Sequence, residues 1–412
     1  MKKLKVLGVV CCLYFSNGNV FAQQSSELLQ ELTVHDAFQS ALSLSPEVKS
    51  AQDRIQALVY RRQAADSITA QPATLEGGYR SDSLHNNQGL REVTLGVSAP
   101  VWNWSERQFT QNVRDAEIQE AKVQLEQTRL DIADQVRQLV WDLEAAQAEV
   151  ELAKIRVSSM QVLAANINKL VKAGELPEAD SMQARVLIAE GEIDLGRAVS
   201  VLEVSKANYF KTIGLTVKSE ERFLPENKSI PESVDLESHP TIKLSQAKLG
   251  LIQAQKKLTG TQSRPNTEVG IALISDRAAF SGGQEKSFVL TTRIPLGSSS
   301  EHKSRVLDIE AIVTAANMQL VNTQRTLAYR SKVAKDELEL FSRLRLASVA
   351  QANLSQKLYE LNRKAFELGE TDFASLIRLE RAAAEANKLS RKASIQYAKK
   401  VSDYRQVMGL LP

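Results

Sequence analysis

Alternating apolar and polar residues predict two pairs of β-strands along the chain. The clearest alternation lies in residues 92–101, whose apolar members are Val93, Leu95, Val97, Ala99 and Val101. The four predicted strands cover residues 74–82, 92–101, 268–275 and 287–294, and a polar loop separates the members of each pair. Alternation with a period of two is typical of a sheet that has one apolar and one polar face.

Each strand pair is followed by a long stretch without a helix-breaking residue. No proline or glycine lies between Pro100 and Gly174, or between Gly297 and Gly369. A helix over residues 105–172 would be about 100 Å long. Its apolar residues recur at alternating steps of four and three, the coiled-coil period, at Ile132, Val136, Leu139, Leu143, Ala146, Val150, Ala153, Val157, Met160, Ala164, Ile167 and Val171. The second stretch has this period at Val306, Ile309, Val313, Ala316, Leu320, Thr323 and Leu327, and again at Leu354, Leu358, Leu361, Ala365 and Leu368.

The same unit occurs twice in the sequence. The landmarks that are 195 positions apart are Gly174 and Gly369, Tyr209 and Tyr404, Gly214 and Gly409, and Pro100 and Pro295, and Pro46 and Pro240 are 194 apart. We predict a first repeat over residues 23–217 and a second over 238–412, each with a helix, two strands and two long helices. Residues 218–237, rich in Ser, Pro and Glu, are the expected linker.

The first 22 residues have the layout of a secretory signal peptide. Three lysines precede a short apolar run, and the segment ends in Ala22 before Gln23. The run is too short to cross a bilayer. Cys11 and Cys12 lie inside it, where no lipid attachment is expected. We therefore expect cleavage after Ala22 and export of the remaining chain.

Removal of this segment changes the charge of the chain. The full sequence has 52 Lys and Arg against 49 Asp and Glu, a net charge of +3. The segment has three lysines and no acid, so the exported chain is balanced at zero, which argues against a nucleic-acid-binding protein. No apolar run of about 18 residues is present, which excludes a membrane protein built from spanning helices.

The exported chain offers few groups for catalysis. Both cysteines belong to the signal segment, so neither a thiol nucleophile nor a cysteine metal site is available. The histidines at 35, 85, 239 and 302 lie in unrelated contexts, and no GxxxxGK[ST] phosphate-binding loop is present. We therefore expect a protein that is not an enzyme and holds no cofactor and no resident metal.

The predicted lengths require an elongated molecule, because a helix of about 100 Å does not fit a compact domain of this size. Strands of about 8–10 residues are near the length that spans a bilayer when tilted. Spanning strands must close into a barrel, and the smallest membrane barrels have about eight strands. Four strands per chain therefore predict an oligomer that pools its strands into one barrel and its helices into one tube. The alternative is a soluble four-stranded sheet packed on helices.

The ordered set of these features resembles the TolC-like outer membrane efflux proteins. The matching segments are the opening 32–47, the strand ends 97–101 and 292–296, and the turns at Gly174 and Gly369. The resemblance covers nearly all of residues 32–412. It implies a mainly α fold with a small β part, in which a homotrimer forms a twelve-stranded barrel in the outer membrane of a Gram-negative bacterium. A long coiled-coil tunnel then lies in the periplasm.

The resemblance also implies a function and partners. The chain would be the exit duct of a tripartite efflux system, in contact with outer-membrane lipid, a periplasmic adaptor protein and an inner-membrane pump of the resistance-nodulation-division type. Residues 368–378 and the ending 408–412 are similar to the heavy-metal, CzcC-like branch, which implies metal cations as cargo. Two alternatives stay open: the same duct for drug efflux or type I protein secretion, and a periplasmic coiled-coil adaptor or rod.

The two helical turns, residues 172–178 and 367–372, are expected at the periplasmic tip of the tube, where it closes and docks. An inward charge there would occur three times in a trimer and form a ring that gates or selects ions. The candidates are Glu175, Asp180, Glu370, Asp372 and Arg378. For Asp180 and Asp372 the alternative is a helix N-cap, whose side chain satisfies free backbone N–H groups.

Four further residues are expected to serve the backbone rather than transport. Gly174 and Gly369 suit the tight turns between helices, and Pro100 and Pro295 mark the strand ends. In the resembled family an acidic constriction lies six and nine residues after the second glycine. These positions hold Ser375 and Arg378 here, so that ring is not carried over.

Overall fold

The computed structural model describes residues 32–85, 87–217, 223–224, 226, 236–297 and 299–412. The expected signal peptide, residues 1–22, and most of the expected linker, residues 218–237, lie outside the described residues.

From the helix before each strand pair onward, the two halves of the chain have the same order of elements, and the first half has one additional helix near its start. The first half contains β1 (Leu32–Thr33), α1 (Val34–Leu44), α2 (Pro46–Ala64), β2 (Thr74–Ser81), β3 (Arg91–Val101), α3 (Glu106–Lys172) and α4 (Glu178–Ile213). The second half follows the short strand β4 (Phe223–Leu224) and a 3-10 turn (Leu236–Ser238), and contains α5 (Pro240–Thr261), β5 (Thr267–Arg277), β6 (Glu285–Arg293), α6 (Ser299–Glu367) and α7 (Phe373–Val407). The predicted strands and long helices are confirmed, with α3 at 67 residues and α6 at 69.

Proline and a capping side chain start the helix before each strand pair. Ser45 caps α2, its Oγ accepting a hydrogen bond from the Val48 N–H, and Pro46 takes the first helical position. His239 has the same place before Pro240, and its Nδ1 accepts a 3.1 Å hydrogen bond from the Thr241 N–H. Burial lowers the pKa of His239, which favours the neutral ring that this cap requires.

The long helices pack in the order α4, α3, α7, α6. α3 and α4 form one antiparallel hairpin and α6 and α7 form the other, and the hairpins meet where α3 contacts α7. α1 covers α3 and α4, while α5 lies between α3 and α6. The largest cluster of buried side chains joins α1, α3 and α4 and includes Phe38, Val136, Leu143, Tyr209 and Ile213. Among the described residues, no helix is both long enough and apolar enough to cross a membrane.

The four longer strands form one antiparallel sheet in the order β2-β3-β5-β6. The register places Leu75, Val97, Ile271 and Leu290 in one row across the sheet. Because side chains alternate between faces, the neighbouring row of Glu76, Gly96, Ala272 and Val289 lies on the opposite face. The alternation read from the sequence is therefore confirmed, with an apolar face and a mainly small or polar face.

The apolar residues that recur at the coiled-coil period form a seam along each of the two longest helices, α3 and α6. The two seams pack against different helices. The seam of α3 is buried against α4, and Val136, Leu143 and Ile167 have no exposed surface. The first apolar series of α6, from Val306 to Leu327, is mostly half-buried beside α5. The second series, from Leu354 to Leu368, faces away from the chain's own hairpin, since Leu354 is 71% exposed and Leu368 is 75% exposed. α6 instead packs on α7 through the buried side chains of Leu338, Ala352 and Phe366.

A buried ion pair ties the middle of α3 to distant parts of the chain. The Arg137 side chain is 1% exposed, and its Nη2 lies 2.8 Å from Oε1 of Glu226. The guanidinium also donates to the Gln406 side chain and, over 2.9 Å, to the Leu410 carbonyl. One residue of α3 therefore holds the segment between the halves and the end of the described chain.

Candidate functional site: the tip of the helical hairpins

Both hairpins turn through a glycine in the left-handed backbone region. Gly174 has φ +79° and Gly369 has φ +76°. In the first turn the N–H groups of Gly174 and Glu175 donate to the carbonyls of Val171 and Leu170, and the second turn repeats this pattern at Gly369 and Glu370. These paired hydrogen bonds satisfy the last carbonyls of α3 and α6. The two tips have the same backbone geometry.

The candidate charges at the tips lie mainly on the surface. Glu175, Glu370, Asp372 and Arg378 are exposed, and Asp180 is half-buried. Of these, the structure brings Asp372 and Arg378 near enough for the arginine charge to lower the pKa of the aspartate. No ion pair joins two of the five candidates within the part of the chain that the structure describes.

Asp372 caps α7. Its Oδ1 accepts a 2.6 Å hydrogen bond from the Ser375 N–H. The pKa of Asp372 lies below its ordinary value, first because of the Ser375 hydroxyl and next because of the Ser375 backbone N–H. Its geometry is therefore that of a cap on an exposed turn.

Asp180 does not cap α4, so the capping alternative is wrong for this residue. The N-cap position belongs to Pro177, and Asp180 is the third residue of the helix. The proline ends the turn and leaves no place for a capping side chain at that position. Asp180 still opposes the positive end of the α4 dipole from the first helical turn.

An apolar core lies directly behind both turns. The buried side chains come from all four long helices and are Met160, Leu163, Ala164, Ile167, Ala184, Leu187, Phe366, Phe373, Leu376 and Ile377. The rings of Phe366 and Phe373 pack with their centroids 6.0 Å apart. The two tips are therefore anchored by packing, while four of the five candidate charges lie at the surface.

A buried carboxylate lies in the contact between the two hairpins, just above the tip. Glu380 of α7 is 6% exposed, and its Oε1 is 3.7 Å from Nε of Arg156 on α3. Burial raises the pKa of Glu380, and the Arg156 charge opposes this shift only in part. Nearby, Arg381 of α7 forms a 2.9 Å ion pair with Glu190 of α4.

Glu380 and Arg156 were not among the residues predicted from the sequence. A signal for Glu380 was present, since it lies seven residues after Phe373 on the apolar stripe of α7. A charged residue at such a position must either be exposed or have a buried partner. Arg156 could not be assigned as that partner without the packing of α3 on α7.

The described ranges contain no group of three or more His, Cys, Asp or Glu side chains placed to hold a metal ion.

Comparison with known proteins gives one family and one fold. The profile of the family described as "Outer membrane efflux protein" matches residues 37–199. No curated protein matches the sequence significantly. Among solved structures, the CmeC outer membrane channel of Campylobacter jejuni is 16% identical with a TM-score of 0.74, and the match covers 91% of this chain and 85% of CmeC.

Two further structures agree with CmeC. The MtrE outer membrane channel of Neisseria gonorrhoeae, solved in its open state, is 13% identical with a TM-score of 0.74, over 92% of this chain and 89% of MtrE. CusC, whose folding is accompanied by conformational changes and transmembrane channel formation, is 14% identical with a TM-score of 0.75, over 93% of both chains. The family and these neighbours are outer membrane channels and not enzymes, which confirms the prediction of a non-enzyme. Residues 37–199 match the outer membrane efflux protein family, and the chain has the TolC-like channel fold.

Proposed function

We propose that three copies of the chain form the outer-membrane exit duct of a tripartite efflux system. The observation that carries this proposal is that the sheet of a single chain has two unpaired edges. Within the described residues, β2 and β6 each have one edge without a neighbouring strand. Such edges are templates for pairing with another chain. Three four-stranded sheets joined at these edges would give the twelve-stranded barrel of the resembled family.

The exposed face of the sheet supports a position in lipid. Leu75 is 71% exposed, Leu273 61%, Phe288 65% and Leu290 67%. A contiguous apolar surface of this kind is unfavourable in water and suits the outside of a membrane barrel. Exposed aromatic residues lie toward both ends of the apolar band, with Tyr79 at 69% near the strand loops and Trp104 at 94% beside the helices. Aromatic side chains are enriched at both membrane interfaces.

The layer of long helices, like the sheet, has exposed edges, which are formed by α4 and α6. Its outer helices carry exposed stripes with alternating steps of four and three, on α4 at Met182, Val186, Ala189, Ile193 and Gly196, and on α6 at Leu340, Leu344, Ala347, Gln351, Leu354, Leu358 and Leu361. In both layers one free edge comes from the first half and the other from the second half. One head-to-tail contact, with α6 of one copy against α4 of the next, would close both layers into a ring.

The tip is then the end that meets the partners. Export through the signal peptide of residues 1–22 would leave the helices in the periplasm, with the strand loops outside the cell. Three copies of Glu175, Glu370, Asp372 and Arg378 would surround the tip, and Asp180 would lie just behind them. We propose that a periplasmic adaptor and an inner-membrane pump dock at this charged end, which the apolar core behind it supports.

Heavy-metal cations are the proposed cargo. The polar face of the sheet carries five acids, Glu76, Glu92, Glu268, Asp276 and Glu285, against two bases, Arg80 and Arg293. If the apolar face meets lipid, this acidic face lines the barrel, and rings of acids favour cations over anions. The likeness of residues 368–378 to the heavy-metal branch supports the same cargo. Drug efflux and type I protein secretion are the alternatives for the same duct.

The test is deletion of the gene followed by complementation and a sensitivity panel. We expect increased sensitivity to Zn, Co, Cd, Cu or Ni, restored by the intact gene. Sensitivity to dyes and detergents alone would support a drug duct and contradict the metal cargo. Fractionation separates the remaining class, because a periplasmic coiled-coil adaptor would be released by osmotic shock. The proposed duct stays in the outer-membrane fraction as a heat-sensitive oligomer.

A further inference from the structure

Three basic residues gather at the loop end of the sheet, on its apolar face. Arg91 begins β3, Arg277 ends β5, and Lys286 is the second residue of β6. The register places Arg91 directly opposite Arg277. Lys286 lies opposite Ser275, the next position along β5 on the same face as Arg277. All three side chains therefore share the face that carries Val93 and Phe288.

The acids at this end of the sheet are on the other face. Each base is adjacent in sequence to an acid, in the pairs Arg91 and Glu92, Arg277 and Asp276, and Lys286 and Glu285. Since neighbouring residues of a strand point to opposite faces, the alternation sorts the bases from the acids. On the acidic face Arg80 has a partner, Glu92, at 3.8 Å.

The basic cluster has no such partner among the described residues. The positions that surround it on its own face hold Tyr79, Ser81, Val93, Ser275 and Phe288, none of which is acidic. Arg277 donates from Nε to the Gly89 carbonyl over 3.3 Å and stacks on the Phe280 ring at 5.6 Å. These two contacts orient its guanidinium without neutralising it.

Like charges directly opposite each other on a sheet are destabilising. An anion from outside the chain would therefore stabilise the pairing of Arg91 with Arg277 and the neighbouring Lys286. Arg91 is ten residues from Val101, which is about 25 Å along the membrane normal for a strand tilted near 40°. In the proposed barrel, the cluster and Tyr79 would therefore lie at one border of the apolar band, at the level of lipid headgroups.

We propose that Arg91, Arg277 and Lys286 bind the phosphate groups of an anionic glycolipid in the outer leaflet of the membrane. The inference rests on the proposed barrel, which places this face in lipid and this end at the outer surface. Arginine and lysine on a lipid-facing surface form charge-assisted hydrogen bonds with phosphate oxygens. The bound lipid would neutralise the cluster and fix the depth of the barrel.

The test uses the full-length protein purified in detergent and measures lipid binding by native mass spectrometry. The probes are bisphosphorylated lipid A, its dephosphorylated form and inorganic phosphate. The double variant Arg91→Gln/Lys286→Gln leaves Arg277 to hold the loop. We expect its affinity for bisphosphorylated lipid A to fall about fivefold per removed charge, or about 25-fold in total. The control Arg80→Gln removes a base at the same end but on the acidic face, and we expect it to bind as the wild type does.

The result that would overturn the inference is equal binding by the double variant and the wild type, or equal binding of the two lipid A forms. Displacement of lipid A by inorganic phosphate at similar concentration would show an anion site without lipid preference and would also overturn it. Insertion into neutral phosphatidylcholine vesicles separates the two proposals. A protein that inserts but ignores lipid phosphate contradicts only this inference, whereas one that inserts into no vesicle contradicts the proposed duct.

Discussion

At the scale of single residues, two buried charges in the contact between the hairpins behave differently. Arg137 has a matched partner, because Glu226 meets it at 2.8 Å and both side chains are at most 5% exposed. Glu380 has a poorer match in Arg156 at 3.7 Å, and one of its oxygens, Oε2, has no hydrogen-bond partner in the described structure. The first site is a close, hydrogen-bonded ion pair, whereas at the second site burial raises the pKa of the Glu380 carboxyl.

Glu226→Gln removes the charge partner of Arg137 while keeping a similar shape. We expect the free energy of unfolding to fall by about 3 kcal/mol, because an uncompensated buried charge is left behind. The measurement is urea unfolding of the detergent-solubilised protein followed by far-UV circular dichroism. Asp142→Asn is the matched control, since its 3.2 Å pair with Lys399 also involves α3 but is exposed, and its loss should cost less than about 1 kcal/mol.

Glu380→Gln tests the raised pKa of this carboxyl. The Glu380 carboxyl binds its proton more tightly in the folded state than in the unfolded chain. The free energy of unfolding of the wild type therefore rises as the pH falls through the folded-state pKa, and it levels off below the pKa of the unfolded chain. Glutamine imitates the neutral acid at every pH. We expect the variant to be more stable than the wild type near neutral pH, with a difference that shrinks as the pH falls, in thermal unfolding measured across a pH series.

A stability difference between Glu380→Gln and the wild type that grows as the pH falls would contradict the raised pKa of Glu380. Asp372→Ala provides the opposite case, because the pKa of Asp372 is lowered and its contribution is lost when the pH falls through that lowered value. In that variant the loss of stability relative to the wild type should be greatest near neutral pH.

At the scale of elements, the same heptad period occurs on helices with different partners. The seam of α3 is covered by α4, whereas Leu354, Leu358 and Leu361 of α6 are more than half exposed in one chain. Leu354→Glu/Leu361→Glu should therefore leave the fold of a single chain nearly unchanged. It should disrupt the assembly if α6 packs against α4 of the next copy, because two charges would be buried there.

The measurement is the mass of the detergent-solubilised particle, by light scattering or mass photometry, together with helix content. We expect the double variant to dissociate while its helix content is retained. Asn353→Glu, an exposed change on α6 away from the stripe, should stay assembled. An intact oligomer in the leucine variant would exclude this stripe from the contact between copies.

Most elements could be predicted from the sequence because their signals are local. The alternation of residues 92–101 and the absence of proline and glycine before Gly174 depend only on neighbours in the chain. The helix that packs against an apolar stripe is distant in sequence. The spacing of apolar residues around Leu354 therefore could not show which helix covers them. For the same reason the ion pair of Glu380 with Arg156, which joins residues more than 200 positions apart, could not be predicted. The short distance of Asp180 from the turn suggests a helix N-cap, but Pro177 occupies the N-cap position of α4.

At the scale of the whole molecule, the sheet separates charge between its two faces. At the loop end Glu92, Asp276 and Glu285 share the polar face, while Arg91, Arg277 and Lys286 share the apolar one. A barrel closed with the apolar face outward would have acids along its lining and bases toward lipid. The reverse closure would expose leucine side chains to the channel water and bury the acids in hydrocarbon, which is far less favourable.

The ion selectivity of the reconstituted channel tests this orientation. In the triple variant Glu92→Gln/Asp276→Asn/Glu285→Gln, three negative charges per copy leave the lining, so the preference for cations over anions should weaken. The readout is the reversal potential in a planar bilayer under a salt gradient. Arg91→Gln changes the charge at the same height but on the face proposed to meet lipid, so its reversal potential should equal that of the wild type. If Arg91→Gln shifts the potential and the triple variant does not, the acidic face does not line the channel, and the proposed closure of the barrel is wrong.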